Sequence, residues 1–156
     1  MKDVLLKLLA YPLPLRLALA RNVKDNCATF FCEYNPAPVG CMFHDLDFYS
    51  STTEALTLFD ADASHFLPRV FVYFDDIVGD DTWLCTDYTG GWLSIVEFNQ
   101  NHRAKKIAKN YHLRARYPMV WWSHHIYIYH DFEHPRYNDF IADSEQMSHQ
   151  DFIELK

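Results

Sequence analysis

Two stretches of the chain are apolar at consecutive positions and each runs straight into carboxylates. "VGCMFHD" (Val39 to Asp45) alternates Val39, Cys41 and Phe43 against Met42, and Asp47 follows two residues later. "RVFVYFDD" (Arg69 to Asp76) does the same and ends in Asp75-Asp76. Apolar residues on both faces predict strands in the middle of a parallel sheet covered on both sides. Between them, Ser51-Thr52-Thr53-Glu54 has the form of a capping box, in which serine and glutamate satisfy backbone N–H groups at a helix start. Ala55, Leu58 and Phe59 follow at helical spacing, and the predicted helix ends before Leu67-Pro68. Strand, helix and strand in this order predict a βαβ unit.

The flanking segments are less regular. Lys2 to Ala10 predicts a helix, and "LRLALA" (Leu15 to Ala20) predicts a short strand with Leu15, Leu17 and Leu19 on one face. "VKDNCATFFCEY" (Val23 to Tyr34) predicts a helix that Asn35-Pro36 ends. "GGWLSIVEFNQNHRAKKIAKN" predicts a long helix opened by Gly90-Gly91. "YHLRARY" and "HHIYIYHDF" predict an antiparallel strand pair joined through "PMVWWS", and the polar tail from His134 to Lys156 predicts loop with a short helix. The chain shows no internal repeat, low-complexity tract or linker, and 156 residues suit a single domain. The fold class expected is α/β.

Composition narrows the function classes. With Lys+Arg 14 against Asp+Glu 21, the net charge is −7, and the field of the molecule repels phosphate backbones and anionic lipid. No nucleic-acid or membrane partner is therefore expected. The basic run "HRAKKIAK" reads as a solvated helix C-terminus, where lysines complement the helix dipole. Cys27, Cys32, Cys41 and Cys85 form no C-x-x-C pair or zinc spacing, which suits a reducing, cytoplasmic setting. Asp3, Lys7, Pro12, Pro14 and Arg16 interrupt the apolar N-terminus, arguing for an ordinary helix rather than a signal peptide or a membrane span.

The candidate chemistry lies where the two apolar strands end. In open α/β sheets, ligands bind outside the carboxyl ends of the strands. A right-handed crossover makes the two strands neighbours, which places Asp45 and Asp47 near Asp75 and Asp76 on one rim. Carboxylates converging in this way repel one another unless a cation intervenes, and a hard, oxygen-loving ion such as Mg²⁺ answers that need. The plainer reading is that strand-end aspartates cap the following helix, and Asp47 or Asp76 could do only that. Histidines in "HHIYIYHDFEH" form a weaker metal candidate: His124 and His130 share a strand face but lie too far apart for one ion. Trp121-Trp122 and the neighbouring tyrosines could line a pocket, although aromatic strands more often serve a core. There is no G-x-S-x-G or comparable nucleophile motif.

"PAPVGCMFHDLDFYSSTTEAL", "LPRVFVYFDDIVG", "SIVEFNQNHRAKKI" and "HDFEHPRYNDF" together resemble the C-terminal half of class I S-adenosylmethionine-dependent methyltransferases. The similarity is to macrocin- and mycinamicin-type sugar O-methyltransferases and runs from about Leu15 onward. Its most specific element is D-x-D-x-Y-x-S-T at Asp45 to Thr52, combined with Asp75-Asp76. The resemblance implies a three-layer Rossmann-like sheet, mostly parallel with a C-terminal antiparallel hairpin. It implies Mg²⁺ held by Asp45, Asp75 and Asp76, with Asp45 also removing a proton from a hydroxyl of a sugar or small-molecule acceptor. Asp47 is a less certain participant.

The resemblance also sets out what such an enzyme needs elsewhere. A glycine-rich turn should cradle S-adenosylmethionine, but the four glycines (Gly40, Gly79, Gly90, Gly91) form no G-x-G pattern before Asp45. The family's first two strands have no counterpart, so the edge of "VGCMFHD" is expected to be open and prone to pairing or self-association. "LRLALA" is expected to dock there instead. Two alternatives stand beside the methyltransferase reading. One is a truncated, non-catalytic homologue acting as a partner subunit, which the glycine count favours. The other is a metal-dependent glycosyltransferase that uses its D-x-D with Mn²⁺.

Overall fold

The computed structural model describes residues 30–78 and 85–139, with the backbone of two short strands, β1 (Val4–Leu5) and β2 (Leu19–Ala20). Residues 30–34 are helical (α1). Then follow β3 (Val39–His44), α2 (Tyr49–Leu56), β4 (Phe66–Phe74), α3 (Gly90–Asn101), β5 (Lys105–Lys109), α4 (Tyr111–Arg116) and β6 (Ile126–Asp131).

Strands β3 to β6 form one mixed sheet in the order β3-β4-β6-β5. β3 and β4 are parallel, as the strand–helix–strand pattern predicts. β6 runs antiparallel to both β4 and β5, so β3, β4 and β5 share one direction. The protein is therefore α/β, but two of the three strand pairings in this sheet are antiparallel, which corrects the expectation of a mostly parallel sheet. The antiparallel C-terminal pair exists with a different member. "YHLRARY" is helix α4, capped by Asn110 Oδ1 accepting from the Leu113 N–H at 3.1 Å, and β5 takes its place beside β6.

β5 also shortens the long helix expected after Gly90-Gly91. The Asn99 side chain donates to the Ile107 carbonyl at 2.9 Å and accepts from the Ile107 N–H at 2.7 Å. Lys106 reaches back to the carbonyls of Asn99 and His102. These bonds satisfy the helix C-terminus and fold the chain back, so that Ile107 enters the core. The capping box is not formed either. The N-cap of α2 is Phe48, three residues before Ser51, and Ser51 Oγ donates to the Phe48 carbonyl at 3.0 Å. α1 does end at Asn35-Pro36, where Asn35 takes a left-handed φ of 38° and donates to the Phe31 carbonyl.

At the N-terminus, Val4–Leu5 is extended rather than helical and pairs antiparallel with Leu19–Ala20 in a separate two-stranded sheet. "LRLALA" thus pairs elsewhere through its last two residues. No described strand lies on the outer side of β3. The rest of the expected Lys2–Ala10 helix and Leu15–Ala18 lie outside the described residues.

One face of the sheet carries the core. Val70, Val72, Tyr127 and Tyr129 are buried there beneath Ile95 and Phe98 of α3, and Phe59 stacks flat on Tyr129 with ring centroids 3.9 Å apart. Burying such large aromatic and aliphatic side chains contributes about 1.5–3 kcal/mol each. The opposite face carries Cys41, Phe43, Leu67 and Phe71, all exposed. Both strands were expected to be covered on both sides, whereas the described residues cover them on one.

His44 belongs to the covered face. Its ring stacks on Phe74 at 4.8 Å, and neither ring nitrogen has a hydrogen-bond partner. Burial pushes its pKa from 6.5 down to about 4. Between those values the unfolded chain binds a proton that the folded one refuses, so stability is full above pH 6.5 and falls as pH drops toward 4. The loss amounts to about 3 kcal/mol at ~1.4 kcal/mol per pKa unit. Denaturant titrations in EDTA at pH 7 and pH 4 should show this loss in the native chain, and His44→Phe should shrink it by most of that amount. An unchanged pH dependence in His44→Phe would refute the assignment.

Candidate functional site

The site forms where β3 and β4 end side by side. Met42, Phe43 and His44 pair in register with Val72, Tyr73 and Phe74, so Asp45 and Asp75 leave neighbouring strands at the same level. After β3, the chain stays irregular through Asp45, Leu46 and Asp47, and Phe48 is extended before α2 begins. After β4, residues Asp75–Ile77 make a single 3₁₀ turn, kinked at Asp76 with φ −96° and ψ 17°.

That turn sends its two carboxylates different ways. Asp75 accepts a hydrogen bond from Tyr73 Oη at 3.0 Å. Asp76 joins Asp45 and Asp47, and one carboxylate oxygen from each of the three lies within 4.8 Å of the others. Asp45 and Asp47 are exposed and Asp76 is half-buried. Of the expected ligands Asp45, Asp75 and Asp76, the structure brings together the first and last. Asp47 completes the group in place of Asp75. Asp45 and Asp47 both lie in the short irregular stretch between β3 and α2, and their closeness was already present in the D-x-D spacing. The kink that separates Asp75 from Asp76 has no counterpart in an alternation pattern. Among the described residues no histidine belongs to a candidate metal group: His102 pairs with Asp60 at 2.8 Å, His124 meets the Pro118 carbonyl and His130 meets Tyr137 Oη.

Both halves of this rim are tied to α3. Trp92 Nε1 donates to the Ile77 carbonyl at 2.7 Å, fixing the turn that carries Asp76. Ser94 Oγ donates to the Tyr49 carbonyl at 3.1 Å and bonds Thr53 Oγ1 at 3.0 Å. Tyr49 Oη donates to Glu97 at 2.7 Å. These contacts fix the start of α2 and with it the Asp45–Asp47 loop. On the other side of β4, the Phe74 backbone N–H donates to the His125 carbonyl at 3.0 Å, and the His125 ring lies 2.7 Å from the Phe74 carbonyl.

The electrostatics of the rim are negative. Tyr73 shows it: burial, then the hydrogen bond to Asp75 and the charges of Asp75 and Asp76, push its pKa up to about 12. Unit charges about 5 Å apart repel by ~1 kcal/mol in a water-like medium and by ~3–4 kcal/mol at an effective dielectric of 20. Three carboxylates in this arrangement offer an all-oxygen, hard donor set of the kind Mg²⁺, Mn²⁺ or Ca²⁺ takes. The donor chemistry fits a hard divalent cation.

The glycines give a different answer for a nucleoside cofactor. Gly40 sits within β3 against Leu67, and Gly90-Gly91 open α3, with Gly91 packed toward Ile77 and Thr52. None of these three makes a glycine-rich turn after a strand, and Gly79 lies outside the described residues. No family model, no curated protein and no solved structure matches the chain. Among the described helices, none is long and apolar enough to cross a membrane.

Replacing Trp92 by Phe removes the N–H that holds the Ile77 carbonyl and leaves that acceptor unpaired. Trp92→Phe should lower the unfolding free energy by about 1–3 kcal/mol, measured by urea denaturation at pH 7. A loss below ~0.5 kcal/mol would mean that the bond does not anchor the turn.

Proposed function

We propose that this chain is the cation-binding, acceptor-side portion of a class I methyltransferase-like domain acting on a hydroxyl of a sugar or small-molecule acceptor. One observation carries the reading: carboxylates from the ends of two parallel neighbouring strands converge on one spot at the carboxyl edge of the sheet. The parallel β3–β4 pair followed by an antiparallel C-terminal pair supports it, in the order expected for the C-terminal half of that fold.

Asp45, Asp47 and Asp76 would hold a divalent cation, with Asp75 outside the set and bonded to Tyr73. When bound, such a cation supplies Lewis acidity, lowering the pKa of an acceptor hydroxyl. Asp45, exposed at the rim, would accept the proton that the hydroxyl loses. The Ser94 and Glu97 contacts to α2 keep that carboxylate in position. The described residues do not fit S-adenosylmethionine, because they supply no glycine-rich turn. That same observation favours the second reading, a homologue that binds the cation and serves as the partner of a cofactor-bearing subunit.

Calorimetric titration with Mg²⁺ and Mn²⁺ tests the cation site. Asp45→Asn, Asp47→Asn and Asp76→Asn should each weaken binding by about tenfold or more, while Asp75→Asn should change it by less than about threefold. Absence of binding in the native chain would remove the proposal. Titration with S-adenosylmethionine and S-adenosylhomocysteine separates the readings. Binding favours a methyltransferase complete in this chain, and cation binding alone favours the partner-subunit form. Binding of a nucleotide sugar in the presence of Mn²⁺ would replace both with the glycosyltransferase reading.

A further inference from the structure

β5 ends at the same edge of the sheet as β3 and β4, because the three strands share one direction. Where β3 and β4 run into carboxylates, β5 ends in Lys109, and Arg114 follows on α4. Only β6 separates β5 from β4, which puts Lys109 about 10 Å from the end of β4 at ~4.8 Å per strand.

Trp92 joins the two places. Its Nε1 holds the Ile77 carbonyl in the turn that carries Asp76, and Lys109 Nζ lies 3.8 Å from its ring centroid. The ring quadrupole attracts the ammonium without neutralising it. Arg114 stands one helical turn beyond the strand: its backbone N–H bonds the Asn110 carbonyl at 3.3 Å, and the Asn110 N–H bonds the Ile126 carbonyl at 3.1 Å. Among the described residues, neither the Lys109 ammonium nor the Arg114 guanidinium makes a hydrogen bond or an ion pair, although both residues are half-buried. Burial, then the charge of Arg114, lowers the Lys109 pKa, and the exposed Asp87 opposes them.

Tyr127 pairs with Lys109 in register and packs its ring against Trp92 at 5.8 Å. Its buried hydroxyl has no hydrogen-bond partner. Burial raises the pKa of that hydroxyl, with Arg114 opposing, so it stays a neutral donor. Two cations beside an unsatisfied donor mirror the three aspartates in sign, and like charges repel unless an opposite charge lies between them.

We propose that Lys109 and Arg114 form a phosphate subsite for a small-molecule phosphate monoester. Arginine offers phosphate oxygens a planar fork and lysine a point charge. A doubly negative group matches the two cations, whereas the net charge of −7 repels a polyanion such as nucleic acid. The subsite does not depend on a cation at the aspartates.

Calorimetric titration of the native chain with inorganic phosphate, in EDTA and at low ionic strength, tests it. The native chain should bind, and Lys109→Met and Arg114→Gln should each weaken binding about tenfold or more. Arg116→Gln removes a guanidinium whose Nε already donates to Tyr117 Oη at 3.3 Å, and should weaken binding less than about twofold. No binding to the native chain, or equal losses in all three variants, would overturn the proposal. Acylation of the native chain followed by peptide mass spectrometry gives a readout that needs no variant. At a phosphate concentration about ten times its Kd, Lys109 should react about tenfold more slowly. Lys105, whose ammonium bonds the Phe59 carbonyl at 2.6 Å, should keep its rate. An unchanged Lys109 rate would overturn the subsite.

Discussion

The acidic rim depends on a constraint made some distance from it, the seating of α3 across two connections at once. The Asp45–Asp47 loop is irregular, and the Asp75–Ile77 segment is a single kinked 3₁₀ turn. Trp92 of α3 holds the Ile77 carbonyl, and Ser94 of α3 holds the Tyr49 carbonyl at the start of α2, the helix the loop runs into. Because both tethers come from one helix, the two loops are held relative to each other as well as to the sheet. Mutual repulsion would separate three carboxylates on independent loops by small backbone shifts. Here a shift of the Asp76 turn has to break its bond to α3, and the Asp45–Asp47 loop is anchored at its end, where α2 is bonded to the same helix.

The βαβ unit was legible in the sequence, because its signals are local and repeated. Two apolar runs end in carboxylates, and their separation suits one crossover. The parallel β3–β4 pair and the joint position of Asp45, Asp47 and Asp76 follow from that alone. The choice among the aspartates was not legible. Asp75 and Asp76 are adjacent and chemically identical, and a single kinked turn with a tyrosine hydroxyl on Asp75 decides which faces the group. The second half of the chain was misread for a related reason. "KKIAK" has lysines that suit a helix end, and its strand identity comes from Asn99 clamping Ile107, a contact that periodicity does not express. "YHLRARY" alternates like a strand but follows an asparagine cap, and the cap prevailed.

The sheet is asymmetric in its two faces. Its covered face is saturated with aromatic stacking, Phe59 on Tyr129 and His44 on Phe74 among them. The open face shows equally apolar residues to the surroundings, and the outer side of β3 meets no described strand. Alternation in the sequence reports the apolar character of both faces correctly.

The two faces meet at the rim, and this gives the site its chemical character. Tyr73 stands on the open face beside Phe43, yet its hydroxyl reaches Asp75, and its raised pKa keeps it a neutral donor at physiological pH. His44 stands on the covered face next to Asp45, and its lowered pKa keeps it neutral as well. The aspartates therefore have no fixed positive charge from these two neighbours, and the apolar surface behind the rim does little to shield them from one another. An arrangement of this kind discriminates by charge. It favours a cation over an anionic ligand at this rim.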